Sequence, residues 1–184
     1  WLEPPSRKKK EAKITGPLPD QLEIVLENQI YLEKKSLPPA LLNRVIRIAA
    51  FQNPEFYKAQ AMRFPIYNKP RIIDCCEYFP KNVGLPIGCL DKLIELLYSN
   101  RIELKIEDKR FPGLPIDVNF FGRLFDDQQQ AVNEILNFDN GVLSVPTAFG
   151  KTVIGIYIIA KRKVNTLILV HRRQLLDQWV ERLS

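Results

Sequence analysis

The alternation of apolar and polar positions gives the two halves of the chain different rhythms. Leu22-Glu23-Ile24-Val25-Leu26 alternates, breaks at Glu27-Asn28 and resumes with Gln29-Ile30-Tyr31-Leu32, which predicts a hairpin of two short strands. Pro38-Pro39 then opens a helix. Leu41, Leu42, Val45, Ile46, Ile48 and Ala49 recur there at helical spacing, with Asn43, Arg44 and Arg47 on the other face. Asn53-Pro54 restarts a second helix, Asn53 as N-cap and Pro54 in the first helical position, and Pro65 is expected to end it. Residues 72–76 predict a buried strand. Leu90, Leu93, Ile94 and Leu97 line one face of a further helix, and Ile102, Leu104 and Ile106 alternate with charged neighbours as a half-buried strand. This mixture predicts a small α+β domain over residues 21–110. A linker or disordered tail (1–20) carrying Lys8-Lys9-Lys10 is expected before it, and a rigid, turn-rich connector (111–119) after it.

Beyond residue 120 the pattern changes. Residues 126–138 read as a helix with Ala131, Val132, Ile135 and Leu136 on its apolar face. Residues 141–145 form a short, almost wholly apolar stretch, and 152–160 are apolar nearly all round. Leu167-Ile168-Leu169-Val170 is a second apolar stretch, followed by an amphipathic helix over 172–183. Strand, helix, strand, helix, with strands apolar on both faces, predicts a parallel sheet covered by helices. The expected fold class is therefore α/β: a small N-terminal α+β domain followed by a parallel sheet with flanking helices.

Composition narrows the function classes. Of 184 residues, 46% are hydrophobic and 26% charged, which fits a folded chain and not a disordered or low-complexity one. No apolar run reaches the roughly 18 residues needed to span a bilayer, so no membrane partner is expected. The start, Trp1-Leu2-Glu3-Pro4-Pro5, lacks the apolar core of a signal peptide. Cys75, Cys76 and Cys89 are too few and too clustered for a disulfide framework, which points to free thiols and a reducing, cytoplasmic setting. Lys and Arg number 27 against 21 Asp and Glu, a net charge of +6. Counted on either side of residue 121, the excess is +4 before and +2 after, so the charge reads as spread out and compatible with nucleic acid without locating a site.

The chemistry concentrates in Val145-Pro146-Thr147-Ala148-Phe149-Gly150-Lys151-Thr152, between an apolar stretch and a helix start. Gly150, Lys151 and Thr152 fit the end of the phosphate-binding pattern G-x-x-x-x-G-K-[ST], and Val145 replaces its leading glycine. Backbone N–H groups of a tight loop at a helix N-terminus point at an anion, and the helix dipole adds to the attraction. Gly150 allows close approach, Lys151 supplies a mobile cation for the β- and γ-phosphates, and Thr152 offers a hydroxyl to Mg²⁺.

This segment resembles motif I of superfamily 2 DEAD/DEAH-type helicases, A-P-T-G-x-G-K-T, with Ala148 in place of the usual glycine. Leu124-Phe125-Asp126-Asp127-Gln128-Gln129-Gln130-Ala131 resembles the upstream segment in which a glutamine reads the adenine edge, a role that falls on Gln128. Residues 166–179 resemble motif Ia, which implies phosphate contacts from Arg172 and Arg173 without base reading. The kinship is with the XPB-like and restriction-subunit-type branch. It implies the N-terminal part of an incomplete RecA-like lobe over 120–184, ATP and Mg²⁺ as cofactors, and DNA as partner, with RNA also compatible. Catalytic roles fall on Lys151 and Thr152, with Thr152 toward the metal, and Pro146, Thr147, Ala148, Phe149 and Gly150 complete the nucleotide loop. The family's acidic D-E-x-H segment has no counterpart after Val170. The chain is therefore expected to be a fragment of an ATP-dependent helicase or translocase that hydrolyses ATP negligibly, the other half of the motor lying elsewhere in the parent chain.

Three alternatives stay open on the sequence. Residues 20–110 read either as a docking domain or as a DNA-engaging module, in which Arg44, Arg47, Lys58 and Arg63 interleave with Phe56, Tyr57 and Phe64. The loop reads also as vestigial within an interaction module. A small kinase or GTPase is a third possibility, although such proteins usually keep the leading glycine.

Overall fold

A computed structural model describes residues 14–183. The expectations for the tail and its lysine run fall largely outside the described residues; at its end, Ile14 and Leu18 pack against the core. The described residues form two compact units, which divide between Arg110 and Phe111. Each is taken by itself.

The first unit is built on a five-stranded mixed sheet. Its first two strands are the hairpin of the alternating segment: β1 (Gln21–Leu26) pairs antiparallel with β2 (Ile30–Glu33), Ile24 opposite Leu32. Helix α1 (Pro39–Ile48) follows, then β3 (Ala50–Gln52) and α2 (Pro54–Ala61). Next come β4 (Ile72–Asp74), β5 (Glu77–Tyr78), β6 (Asn82–Leu85), α3 (Leu90–Ser99) and β7 (Glu103–Asp108). The sheet order is β5-β6-β2-β1-β7. β7 runs parallel to β1 with Ile24 beside Ile106, and all other pairs are antiparallel. Strands β3 and β4 form a separate two-stranded ribbon.

The period-2 side chains Leu22, Ile24, Ile30 and Leu32 are sealed from solvent against Leu41 and Val45 of α1 and Leu93 and Leu97 of α3. Each such side chain contributes about 1.5–3 kcal/mol of transfer free energy, so this layer of helices on sheet holds the unit together. Asn53 caps α2 as its sequence predicts, its carboxamide oxygen accepting from the Glu55 N–H at 3.0 Å. Two details differ from expectation. Helix α2 stops at Ala61, four residues before Pro65, because Arg63 turns left-handed (φ 56°) and Phe64 N–H closes back on the Ala59 carbonyl. Strand β4 is exposed, with Ile72 at 57% of its free surface, because its partner is the short ribbon strand β3 and not the main sheet.

The second unit contains three helices: α4 (Asp126–Leu136), α5 (Lys151–Arg162) and α6 (Arg173–Leu183). Leu124, Val132 and Ile154 are its buried centre, with Phe120 and Tyr157 edge to face at 5.1 Å alongside. The expected parallel sheet is not formed among the described residues. Residues 141–146 and 165–170 carry no strand ladder, and Val142, Leu167 and Leu169 stand 93%, 82% and 83% exposed. A strand apolar on both faces is stable only between hydrogen-bonded neighbours under covering helices, and these two stretches do not pair with each other. A clasp closes the unit instead. Leu114 exchanges two bonds with Asn165: its N–H donates to the Asn165 side chain at 2.6 Å and its carbonyl accepts the Asn165 N–H at 2.8 Å. Ile116 N–H donates to Lys163. The fold is thus mixed α/β, with its sheet in the first unit. No described helix is long and apolar enough to cross a membrane.

Candidate nucleotide-binding site

Helix α5 starts at Lys151 because the residue before it, Gly150, takes φ 90°, a left-handed conformation that frees the chain from its approach direction. Ala148, two residues earlier, is also left-handed at φ 67°. The loop therefore turns twice within three residues. The first intrahelical bond runs from Ile154 N–H to the Gly150 carbonyl at 3.1 Å, and no side chain caps the helix start. The N–H groups of Lys151, Thr152 and Val153, the first turn of α5, lie before that first bond and are the donors a helix N-terminus offers to an anion.

Lys151 is exposed, and its Nζ donates to the Pro146 carbonyl at 2.9 Å, so the ammonium lies back across the loop from its own helix. Thr152 is half-buried in the first turn of α5, and Thr147 and Ala148 are exposed on the turn. Pro146, Ala148, Gly150, Lys151 and Thr152 are thus brought into one loop-and-helix head.

Gln128 joins it from another element. It is buried, 7% exposed, at the third position of α4. Its Oε1 accepts from the Phe125 N–H at 3.1 Å, the reaching-back half of a capping box. Its Nε2 donates to the Phe149 carbonyl at 2.8 Å, inside the loop. One carboxamide therefore ties the entrance of α4 to the turn before α5. The sequence places both Gln128 and Phe149 in the site but not the bond between them, because the partner of a backbone carbonyl leaves no trace in residue identity. Phe125, the residue before α4, is 76% exposed beside this tie; an unburied phenylalanine next to a polar helix start is the signal that marks it.

Arg172 and Arg173 stand at the head of α6. The Arg172 carbonyl accepts the N–H groups of Leu175 and Leu176, and the Arg173 Nε meets the Asp177 carboxylate at 3.0 Å, one turn on. Helix α6 is held to α5 by Trp179: a methyl group added at Gly155 would stand 2.6 Å from its ring.

The family model that matches the chain falls on this same half. The family described as type III restriction enzyme, res subunit, matches residues 122–184. The chain is 34% identical over 83 residues to the DNA 3'-5' translocase XPB2 of Sulfurisphaera tokodaii, covering 45% of this chain and 19% of that protein. It is 32% identical over 101 residues to a protein named as a helicase, 109L, of Invertebrate iridescent virus 3, covering 55% of this chain and 29% of that protein. The chain thus spans less than a third of the length of the curated relatives it matches. The matched segment is similar to helicases of the superfamily 2 type.

Proposed function

We propose that residues 120–184 bind ATP with Mg²⁺ as part of a superfamily 2-type motor acting on DNA or RNA. One observation carries the reading: in the family-matched segment, the Gly150 turn delivers an uncapped helix head, the Lys151 ammonium and the Thr152 hydroxyl to one place, with Gln128 anchored to the same turn. The donor set suits a polyphosphate and its metal. Two left-handed residues set N–H groups around the loop, and a mobile cation sits at its mouth.

Lys151 exchanges its bond to the Pro146 carbonyl for the β- and γ-phosphates, a neutral acceptor for a charged one. The loop Pro146–Gly150 supplies backbone donors. Thr152 would hold Mg²⁺ through its hydroxyl, and the metal would supply neutralisation of the phosphate charge. Gln128 keeps one N–H and one lone pair beyond its two internal bonds, the complement of an adenine edge. Phe125 offers a ring face beside it. Arg172 and Arg173 hold nucleic-acid phosphates without reading bases. Hydrolysis and movement along nucleic acid are proposed for the whole motor; the 184-residue chain is proposed to bind without appreciable turnover.

The test is a thermal-shift titration of the full chain with ATP·Mg²⁺ and with GTP·Mg²⁺. ATP alone raises Tm, and Lys151→Ala removes the rise. A ligand at 100 times its Kd stabilises by about 2.7 kcal/mol, a readily measured shift. No rise with ATP, or an equal rise in Lys151→Ala, leaves the loop vestigial and the interaction-module reading in its place.

A further inference from the structure

The even spread of charge between the two halves of the sequence hides a concentration. Residues 44–73 carry six Lys and Arg against one acidic residue, Glu55, so five of the six net positive charges fall within 30 residues. In the first unit these residues form the end of α1, α2, the loop between α2 and β4, and the β3–β4 ribbon as far as Ile73, with Asp74 closing β4 as a second carboxylate. The same stretch carries three exposed large rings, Tyr67 at 85%, Phe64 at 61% and Phe51 of the ribbon at 51%.

The loop that presents Phe64 and Tyr67 is fixed at both ends. Arg63 turns left-handed and Phe64 N–H closes on Ala59 at 2.8 Å. On the far side, Asn53 Nδ2 donates to the Pro70 carbonyl at 2.8 Å, and Asn53 N–H donates to the Arg71 carbonyl at 3.0 Å. Lys69 pairs with Glu55 at 3.1 Å and Arg71 Nε donates to the Tyr57 hydroxyl at 3.0 Å. A turn from Lys69 N–H to the Ile66 carbonyl closes the tip around Tyr67. The rings are therefore held out by a built loop, and little ordering entropy is left to lose on binding. Protein-docking patches are depleted of charge at their centre, especially of lysine. Rings interleaved with cations and almost no carboxylates suit a polyanion with flat, stackable groups.

We propose that the loop between α2 and β4 binds single-stranded nucleic acid, with Phe64 and Tyr67 stacking on bases while Lys58 and Arg63 take backbone phosphates. Stacking carries the binding, so it is tolerant of sequence. It rests on other residues than the nucleotide site, and shares with the preceding proposal only the class of partner.

The experiment is fluorescence anisotropy of the full 184-residue chain without nucleotide, with labelled oligothymidylate and oligouridylate of about 15 nucleotides, between about 50 and 200 mM salt. The two oligomers separate DNA from RNA as the source. Phe64→Ala with Tyr67→Ala weakens binding by roughly tenfold or more, given the usual worth of a base–aromatic stack. Tyr67→Phe retains it, and Lys58→Ala with Arg63→Ala flattens the salt dependence. Unchanged affinity in the double ring variant overturns the site. No binding by the parent chain at low salt overturns it too, and makes a protein partner the occupant of the loop. Because ATP is absent throughout, the thermal-shift result is decided separately.

Discussion

The Nε2 of Gln128 lies 2.8 Å from the carbonyl of Phe149, so a side chain at the head of one helix holds the turn that launches another. The two residues are 21 apart in sequence, and the bond closes the loop-and-helix head of the candidate nucleotide site. A β-carbon added at Gly150 would stand 2.6 Å from that same nitrogen, which shows how closely the carboxamide lies over the turn.

Replacing Gln128 therefore acts on fold and site together. Gln128→Ala strips a bond from the Phe125 N–H and another from the Phe149 carbonyl, at a cost of about 1–3 kcal/mol in urea denaturation. Gln128→Glu is the sharper variant. Its carboxylate still accepts from Phe125 but cannot donate to Phe149, so it faces a carbonyl oxygen with negative charge. It should be no more stable than Gln128→Ala and should lose the ATP-dependent thermal shift. A variant of wild-type stability and shift would remove Gln128 from the site.

The ring-bearing loop of the first unit depends on Asn53 in a comparable way. Its oxygen caps α2 and its Nδ2 holds Pro70. Asn53→Asp keeps the cap, places negative charge at a helix N-terminus and loses only the donor; Asn53→Ala loses both. The order of stability should be wild type, then Asp, then Ala. The Ala variant should lie about 1–2 kcal/mol below wild type from the cap alone, read by denaturant titration. Equal stability of Asp and Ala would mean that the cap contributes nothing.

What was legible in the sequence was what its local chemistry decides. The alternation at 22–32 gave the hairpin, and Asn53-Pro54 and Gly150-Lys151 marked helix starts where helices do start. Pairing over long separations was not legible. Strand β6 is an interior strand of the sheet, yet it is four residues long, contains Gly84 and lies between Pro80 and Pro86, so no periodicity announces it. The parallel seating of β7 on β1 depends on the intervening helices. The apolar stretches at 141–145 and 167–170 carry the composition of buried strands, but a ladder needs a neighbour and composition does not supply one. The charge concentrated at 44–73 escaped a count by halves because opposite charges elsewhere in the first half diluted it.

The thiols give a prediction that depends on pH. Burial, reinforced by the Asp74 carboxylate, pushes the Cys76 thiol up to about 12, and burial also raises Cys89. Cys75 is exposed. At mildly alkaline pH, iodoacetamide should label Cys75 first, with Cys76 and Cys89 following slowly, as read by peptide mass spectrometry. The linkage sign follows from the raised value. Below pH 9 the Cys76 thiol is protonated in folded and unfolded chains alike, and its contribution is fully present. Between about 9 and 12 the unfolded chain releases a proton that the folded chain retains, so stability falls as pH rises. Tyr78, held up to about 12 by its hydrogen bond to Asp74, acts in the same direction. Equal labelling of all three thiols at pH 8 would contradict the partial burial of Cys76 and Cys89.

Ala148 and Gly150 allow a prediction of opposite signs within one loop. Both are left-handed, at φ 67° and φ 90°, but only one is glycine. A β-carbon in that region costs about 1–2 kcal/mol, and Ala148 already bears it. Ala148→Gly relieves this strain and adds back about 0.4–1 kcal/mol of unfolded-chain entropy, so the net change is a stabilisation of up to about 1 kcal/mol. Gly150→Ala works the other way on every count. It adds the left-handed strain and drives a methyl group to 2.6 Å from the Gln128 nitrogen, which must then give up the Phe149 carbonyl. A loss of about 2–4 kcal/mol follows from the strain together with the broken bond. The nucleotide readout should separate the pair in the same sense: Ala148→Gly keeps the ATP-dependent shift and Gly150→Ala abolishes it even where the chain remains folded by circular dichroism. If both substitutions moved stability in the same direction, the double left-handed turn would be the wrong description of the loop.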